Sequence, residues 1–272
     1  LLAVHDDAFR LTWISLPELA LTAMALRGDG GALAKSIKPD FESAVRTPDG
    51  VIHLLGSGST AGRCALARVD LVRSTVTFVE NPEMYECVRT ALELAERPNI
   101  EGAIVDSDRL RLFHRGIAAT PSARVDLPLA VLYGESPRTL ATQSFHLGTL
   151  DGVPLGLTDV AAGSHERSLF AAAAEDTADA VLDGPVAGSV IGILGATRET
   201  PRARWARLLE DNGLPCRHKV EGLVVDDDLR AGWVLTDADA PTLPTVLARI
   251  ELDGFQDTTH LTSRQQNEKK KT

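Results

Sequence analysis

The chain has 272 residues, with 28 Lys+Arg against 38 Asp+Glu and a formal charge of −10 at pH 7. Hydrophobic residues make up 44% and charged residues 24%, the balance of a folded globular chain rather than a disordered one. The acidic surface argues against non-specific nucleic-acid binding and against docking on anionic lipid, and no apolar run approaches the roughly 20 residues of a membrane helix.

In chain order, Leu1–Leu16 reads as the second and third strands of a unit whose first strand is missing, so a truncated first blade is expected. A full unit follows: Phe41-Glu42-Ser43-Ala44-Val45, a turn at Pro48–Gly50, then VIHLLGSGS. Residues 82–97 begin with Pro and acids and carry Met84, Val88 and Leu92 near helical spacing, which predicts one short inserted helix. The second full unit is NIEGAIV (99–105), the turn DSD, and RLRLFHRG. The third is GLTDVAA (156–162), a polar turn, and SLFAAAAED, followed by an acidic, Gly-containing insert over 175–188 read as a rim loop. The fourth is KVEGLVV (219–225), the turn DDD, and LRAGWVLTDAD. Residues 1–262 form the expected single domain, and the polar end 263–272 is read as a disordered tail.

Each unit opens its first strand with an acid: Glu42, Glu101, Asp159 and Glu221, separated by 59, 58 and 62 residues. Later strands (CALARVDL, ARVDLPLAVL, GSVIGIL, TVLARIEL) bring each unit to about four strands. Such repeats predict an all-β fold, a single β-propeller in which neighbouring blades cover each other's apolar faces. Five blades fit the count best, with six as the alternative. A Rossmann-like α/β fold needs several helices between strands, and the sequence offers one.

The first strand of a propeller blade lines the central channel. The expectation is therefore that Glu42, Glu101, Asp159 and Glu221 converge at one mouth and hold a cation, with Ca2+ favoured for its flexible oxygen coordination. The alternative is that these acids serve blade closure, in a non-catalytic binding or scaffold propeller. Thirteen to eighteen residues after each acid lie polar rim candidates: Ser57 and Ser59, His114 and Arg115, Glu175 and Asp176, Asp237 and Asp239, with Asp6 and Asp7 in the partial unit. Arg115 is read as a clamp for an anionic group or as a structural ion pair, and His114 as a general base or a packed histidine. His53 carries the same two readings, and His5 shares a strand face with Asp7.

Gly56-Ser57-Gly58-Ser59 matches neither a P-loop nor a nucleophile elbow. It reads as a strand end where another segment approaches closely. Cys64, Cys87 and Cys216 form no CxxC pair, which argues against a disulfide scaffold and a cysteine zinc site; scattered cysteines favour the cytoplasm slightly and leave an extracellular location open. The expected partner is a small anionic ligand or a protein on one rim, and the expected state is a monomer.

The segments KPDFESAV, GSGS, NIEGAIV with LRLFHRG, GTLDGVPLGLTD, AAAEDTADAVLDGPVAGSVIG, and KVEGLVV with LTDAD together resemble an uncharacterised bacterial propeller family, over residues 1 to about 252. The strand-opening acids are loosely similar to those of phytase-like and esterase-like propellers and of calcium-activated apyrases. That likeness, which extends to the strand-opening acids alone, implies a calcium-assisted hydrolase of a phosphate or carboxylic ester with the four acids around the metal; Arg115 and His114, from their rim position in the repeat, are the expected residues at the substrate.

Overall fold

The computed structural model describes residues 1–254, apart from 117–119, 164–167, 177–183, 196–202 and 238–242. Short apolar runs separated by Gly, Asp, Asn and Pro turns fold into five antiparallel sheets, one per sequence unit. Blade 1 holds β1 (Leu2–Val4), β2 (Arg10–Ser15) and β3 (Ala20–Ala25). Blade 2 holds β4 (Phe41–Arg46), β5 (Ile52–Gly56), β6 (Ala65–Asp70) and β7 (Thr75–Glu80). After α1 (Pro82–Ala91), blade 3 holds β8 (Ile100–Asp106), β9 (Arg109–His114), β10 (Ser122–Pro128) and β11 (Ala141–Phe145). Blade 4 holds β12 (Thr149–Leu150), β13 (Val153–Ala162), β14 (Ser168–Glu175), β15 (Val186–Leu194) and β16 (Arg204–Arg207). Blade 5 holds β17 (Lys219–Val225), β18 (Ala231–Asp237) and β19 (Leu247–Glu251). The protein is a five-bladed, all-β propeller with one α-helix among the described residues.

The core follows from this architecture. A blade is covered on both faces, so middle strands lose the usual alternation of buried and exposed positions. Ile52, His53, Leu54, Leu55 and Gly56 of β5 are all buried in succession, as is every residue of β14. The apolar side chains gather into four clusters, each set between consecutive blades from blade 1 to blade 5. Full burial of each Leu or Phe there contributes roughly 1.5–3 kcal/mol.

Blade 1 begins at the second-strand position. The Asp6 carbonyl, just past β1, accepts from Asp40 N–H at 2.9 Å, and the Ser57 carbonyl, just past β5, accepts from Ile100 N–H at 2.8 Å. Each bond ties the end of one blade's second strand to the start of the next blade's first strand. The partial unit supplies three strands where the sequence pattern predicted two.

The inserted helix is shorter than expected, ending at Ala91 and not near residue 97. Glu93 takes a left-handed φ of 54°, which stops the helical run. At the other end, Asn81 caps the helix by accepting from Met84 N–H at 3.1 Å, with Pro82 beside it in the first turn. Met84, Tyr85 and Val88 are buried against the core between blades 2 and 3. The insert expected as a loop over 175–188 instead starts inside β14 and ends inside β15, and its middle (177–183), like Asp239 and the tail, lies outside the described residues.

Candidate functional site

The inner strands share one local device. The pairing register slips between Phe41 and Ser43, between Ile100 and Gly102, between Leu157 and Asp159, and between Val220 and Gly222. The extra residue at each slip is Glu42, Glu101, Thr158 and Glu221. A β-bulge re-aims the side chain it carries. Glu42, Glu101 and Glu221 accordingly line one pocket at the mouth of the channel, with about 80 Å³ of open space.

Asp159 is not part of this set. It stands one residue past its bulge, and a one-residue offset sends a strand side chain to the other face. Its Oδ1 accepts from Val160 N–H at 2.7 Å and its Oδ2 from Leu223 N–H at 2.6 Å, which joins blade 4 to blade 5. Burial raises its pKa to about 8 against these two hydrogen bonds. The true fourth member of the series is Thr158, fully buried, whose hydroxyl donates to the Val220 carbonyl at 2.6 Å.

The pocket mixes charges. Asp6, Asp40, Glu42, Glu101, Glu221 and Asp237 line it together with Lys35, Lys38, Arg63, Arg115 and Lys219, and Ser59 and Asn99 complete the wall. Lys38 pairs with Asp6 and, at 2.9 Å, with Asp40. Arg63 reaches Asp40 at 3.0 Å. Arg115 joins Glu175 at 2.8 Å and Glu101 at 3.5 Å, and Lys219 joins Glu221 at 2.9 Å and Glu175 at 3.7 Å. Glu175 stands behind the wall and is buried.

Glu42 differs from its neighbours: among the described residues, no cation or hydrogen-bond donor pairs with its carboxyl. Burial raises its pKa well above the ordinary value, and the charges of Glu101, Asp40, Glu221 and Asp6 push the same way. Burial also raises Glu101, opposed by Arg115 and Lys219, and brings Glu221 to about 7 against Lys219. One oxygen each from Asp6, Asp40 and Glu42 fall within 4.8 Å of one another, the donor set a hard cation prefers. Lys38 already pairs with two of the three.

Of the rim candidates, Asp6, Ser59, Arg115 and Asp237 reach the pocket. His114 is not among the lining residues: it is buried, and its Nδ1 faces Asn99 N–H at 3.0 Å. Burial lowers its pKa to about 4 against the Asn99 contact, so it is neutral at ordinary pH. His53 lies near the β4–β5 turn, edge-on to Tyr133 at 5.3 Å, and burial lowers it to about 4. His5 faces Thr12 at 2.9 Å.

The sequence reading missed Lys35, Lys38, Asp40, Arg63, Asn99 and Lys219. Three of them were accessible from strand period alone. Asp40, Asn99 and Lys219 each stand two residues before a bulge glutamate, and the same phase in blade 4 is Gly156. Asn99 Nδ2 donates to Glu101 at 2.6 Å. Gly156 leaves room for the guanidinium, since a Cβ there would lie 2.9 Å from Arg115 Nε.

The GSGS segment is a close-approach site. A Cβ on Gly56 would lie 2.3 Å from the Arg63 carbonyl, and one on Gly58 would lie 2.1 Å from Tyr85 Cδ1. Tyr85 also donates its hydroxyl to the Gly56 carbonyl at 2.6 Å, so α1 holds the segment in place. The result is a fixed hydroxyl pair. Ser57 Oγ donates to Asp40 Oδ2 at 2.5 Å, Ser59 Oγ lies 2.8 Å from Ser57 Oγ, and Arg63 Nη1 donates to Ser59 Oγ at 3.0 Å.

Comparison with known proteins places the chain in a family without assigning it an activity. The chain belongs to the DUF6929 family, a family of unknown function, whose model matches residues 1–252. No curated protein matches it. Among solved structures it is similar to the GH43_1 enzyme from Xanthomonas citri complexed with xylotriose, at 12% identity and a TM-score of 0.47, covering 79% of this chain and 70% of that one. It is similar to an exo-1,5-alpha-L-arabinanase from a bovine ruminal metagenomic library, at 9% identity and 0.45, covering 94% and 93%. It is also similar to Kuenenia stuttgartiensis hydrazine synthase, at 11% identity and 0.41, covering 84% and 70%. None of these three is a phytase, an esterase or an apyrase.

Proposed function

We propose that the mouth of the channel is a hydrolytic site for a small phosphate or carboxylic ester, with Glu42 delivering a proton to the leaving oxygen. The observation that carries this reading is the isolation of Glu42. Asp6, Asp40, Glu101 and Glu221 each have a cation at hand, while Glu42 faces the same pocket with none. A carboxyl that burial and neighbouring acids push well above the ordinary range, in a solvent-reached pocket, meets the requirement for a general acid. Glu221, titrating near 7, supplies a carboxyl in the complementary state, suited to draw a proton from water. Arg63, Arg115 and Lys219 offer charge to an anionic substrate or transition state.

The test is hydrolysis of p-nitrophenyl acetate and p-nitrophenyl phosphate by the wild type and Glu42→Gln. Turnover of either ester that falls about 100-fold in the variant supports the reading. Turnover of neither, or an unchanged rate in the variant, overturns it.

The convergence of Asp6, Asp40 and Glu42 favours a second reading, a calcium site at that trio in place of the four-acid ring. A cation there would neutralise Glu42 and release Lys38. Calorimetric titration of the EDTA-treated protein with calcium tests it: saturable binding lost in Glu42→Gln and Asp6→Asn supports the site, and no binding removes it.

A further inference from the structure

The GSGS segment carries chemistry that proton donation by Glu42 does not use. Ser59 is half-exposed and lines the pocket, whereas Ser57 behind it is completely buried. The hydroxyl of Ser57 is committed as a donor to Asp40 at 2.5 Å, so the short contact of 2.8 Å between the two serines has Ser59 as its donor. Ser57 N–H is likewise committed, donating to the Asp40 carbonyl at 2.9 Å. Arg63 donates to Ser59 Oγ at 3.0 Å and pairs with Asp40 at 3.0 Å. The Ser59 oxygen thus has its proton aimed inward, one lone pair on a guanidinium, and its remaining lone pair free for the pocket.

We propose that Ser59 is the nucleophile of an acyl-transfer reaction, with Ser57 and Asp40 as the positioning residues that lead its proton away, so that the substrate is a carboxylic ester. This rests on the hydrolytic reading and narrows it. Among the described residues one guanidinium, Arg63, reaches Ser59 Oγ, which matches the single developing oxyanion of an ester carbonyl rather than the three peripheral oxygens of a phosphoryl group. The trigonal end of an ester also suits a space of about 80 Å³.

In acylation, the Ser59 Oγ–carbon bond forms as the carbonyl π pair moves to oxygen, beside the Arg63 guanidinium. The Ser59 proton passes to Ser57 Oγ while the Ser57 proton passes to Asp40. Collapse of the tetrahedral species breaks the carbon–oxygen bond to the leaving alcohol, which takes the Glu42 proton. In deacylation, water attacks the acyl carbon and gives a proton to Glu42. Ser59 then leaves, recovering its proton from Asp40 through Ser57. The sum is ester plus water to acid plus alcohol, with every protein group restored.

A fluorophosphonate probe tests the nucleophile without turnover: Ser59 Oγ would displace fluoride at phosphorus and leave a stable adduct. The expected result is one adduct per chain, mapped by peptide mass spectrometry to Ser59. It should be absent in Ser59→Ala, and in Asp40→Asn its formation should slow at least tenfold with a changed pH profile. Thermal melting of each variant checks folding, and Ser59→Cys should restore labelling by a thiol-directed chloromethyl ketone. No adduct in folded wild type, or an adduct that persists in Ser59→Ala, overturns the assignment. Ester turnover retained in Ser59→Ala also overturns it while leaving the hydrolytic site standing. Absence of both turnover and adduct removes both.

Discussion

The channel mouth beside blades 2 and 3 and the seam between blades 4 and 5 start from the same strand pattern and reach different chemistry. At the mouth, the bulge carries Glu42 or Glu101, and the carboxyls meet cations, one another and open space. At the seam, the bulge carries Thr158 and the acid stands one residue later. Both side chains then bond to backbone, Thr158 to the Val220 carbonyl and Asp159 to two amides. The phase of an acid relative to the bulge therefore decides whether it enters the pocket or joins two blades.

Breaking the charged side of this contrast should have the largest effect. Arg115 is buried between Glu101 and Glu175, and truncating it leaves two buried carboxyls without that partner. Arg115→Ala should destabilise the fold by about 3–5 kcal/mol in urea denaturation. Adding Glu175→Gln should return part of the loss, because it removes one of the stranded charges. If the double variant is no more stable than the single one, Arg115 acts through packing rather than charge.

The seam predicts a smaller loss with a different substitution profile. Asp159→Ala removes the acceptor for two amides and should cost about 2–3 kcal/mol. Asp159→Asn keeps one acceptor oxygen and should cost about 1 kcal/mol. Equal losses for the two variants would mean that something other than the paired amide bonds sets the stability of the seam.

The mouth should also reveal itself through pH. The unfolded chain ionises Glu42 above about 4.5, whereas the folded chain keeps its proton well beyond that. The native state then binds more protons, so stability falls as pH rises through the interval between the two values. Glu221 and Asp159, raised to about 7 and about 8, contribute slopes of the same sign. Glu42→Gln removes one titration. It should match the wild type near pH 5 and gain on it by up to about 1.4 kcal/mol per pH unit above that. Denaturation midpoints at pH 5, 6, 7 and 8 measure this, and a constant offset across the series would show that Glu42 is ionised in the native state.

The fold was legible because its signal recurs. Four acid-opened strands at nearly even spacing, with turns between short apolar runs, specify a propeller even though no single strand is distinctive. The site was legible only in part, since a bulge inserts one residue and leaves no mark in an alternating pattern. In blade 4, Leu157-Thr158-Asp159 offers two polar residues in succession, and the acid is the wrong one to align with Glu42, Glu101 and Glu221. The separations become 59, 57 and 63 residues once Thr158 takes that place. His114 was misleading for a similar reason. It is the last residue of β9 and Arg115 follows it directly, and successive residues of extended chain face opposite ways. Lys38 and Arg63 come from the connections flanking β4 and β5, where no repeat marks them. Their contribution depends on the chain path between blades, which local pattern does not encode.

The smallest expected effect addresses the bulge most directly. Thr158 has the backbone position of the three glutamates, yet its hydroxyl contributes a single hydrogen bond, to the Val220 carbonyl one residue before Glu221. Thr158→Val preserves shape and β-branching and removes only that bond. It should cost about 1 kcal/mol, with ester turnover and the Glu42-dependent pH slope unchanged. A loss of turnover larger than the loss of stability would mean that the seam sets the position of Glu221, and through it the chemistry of the mouth. The two regions would then be one mechanical unit, with the bulge of blade 4 acting on the pocket through the strand that carries Lys219 and Glu221.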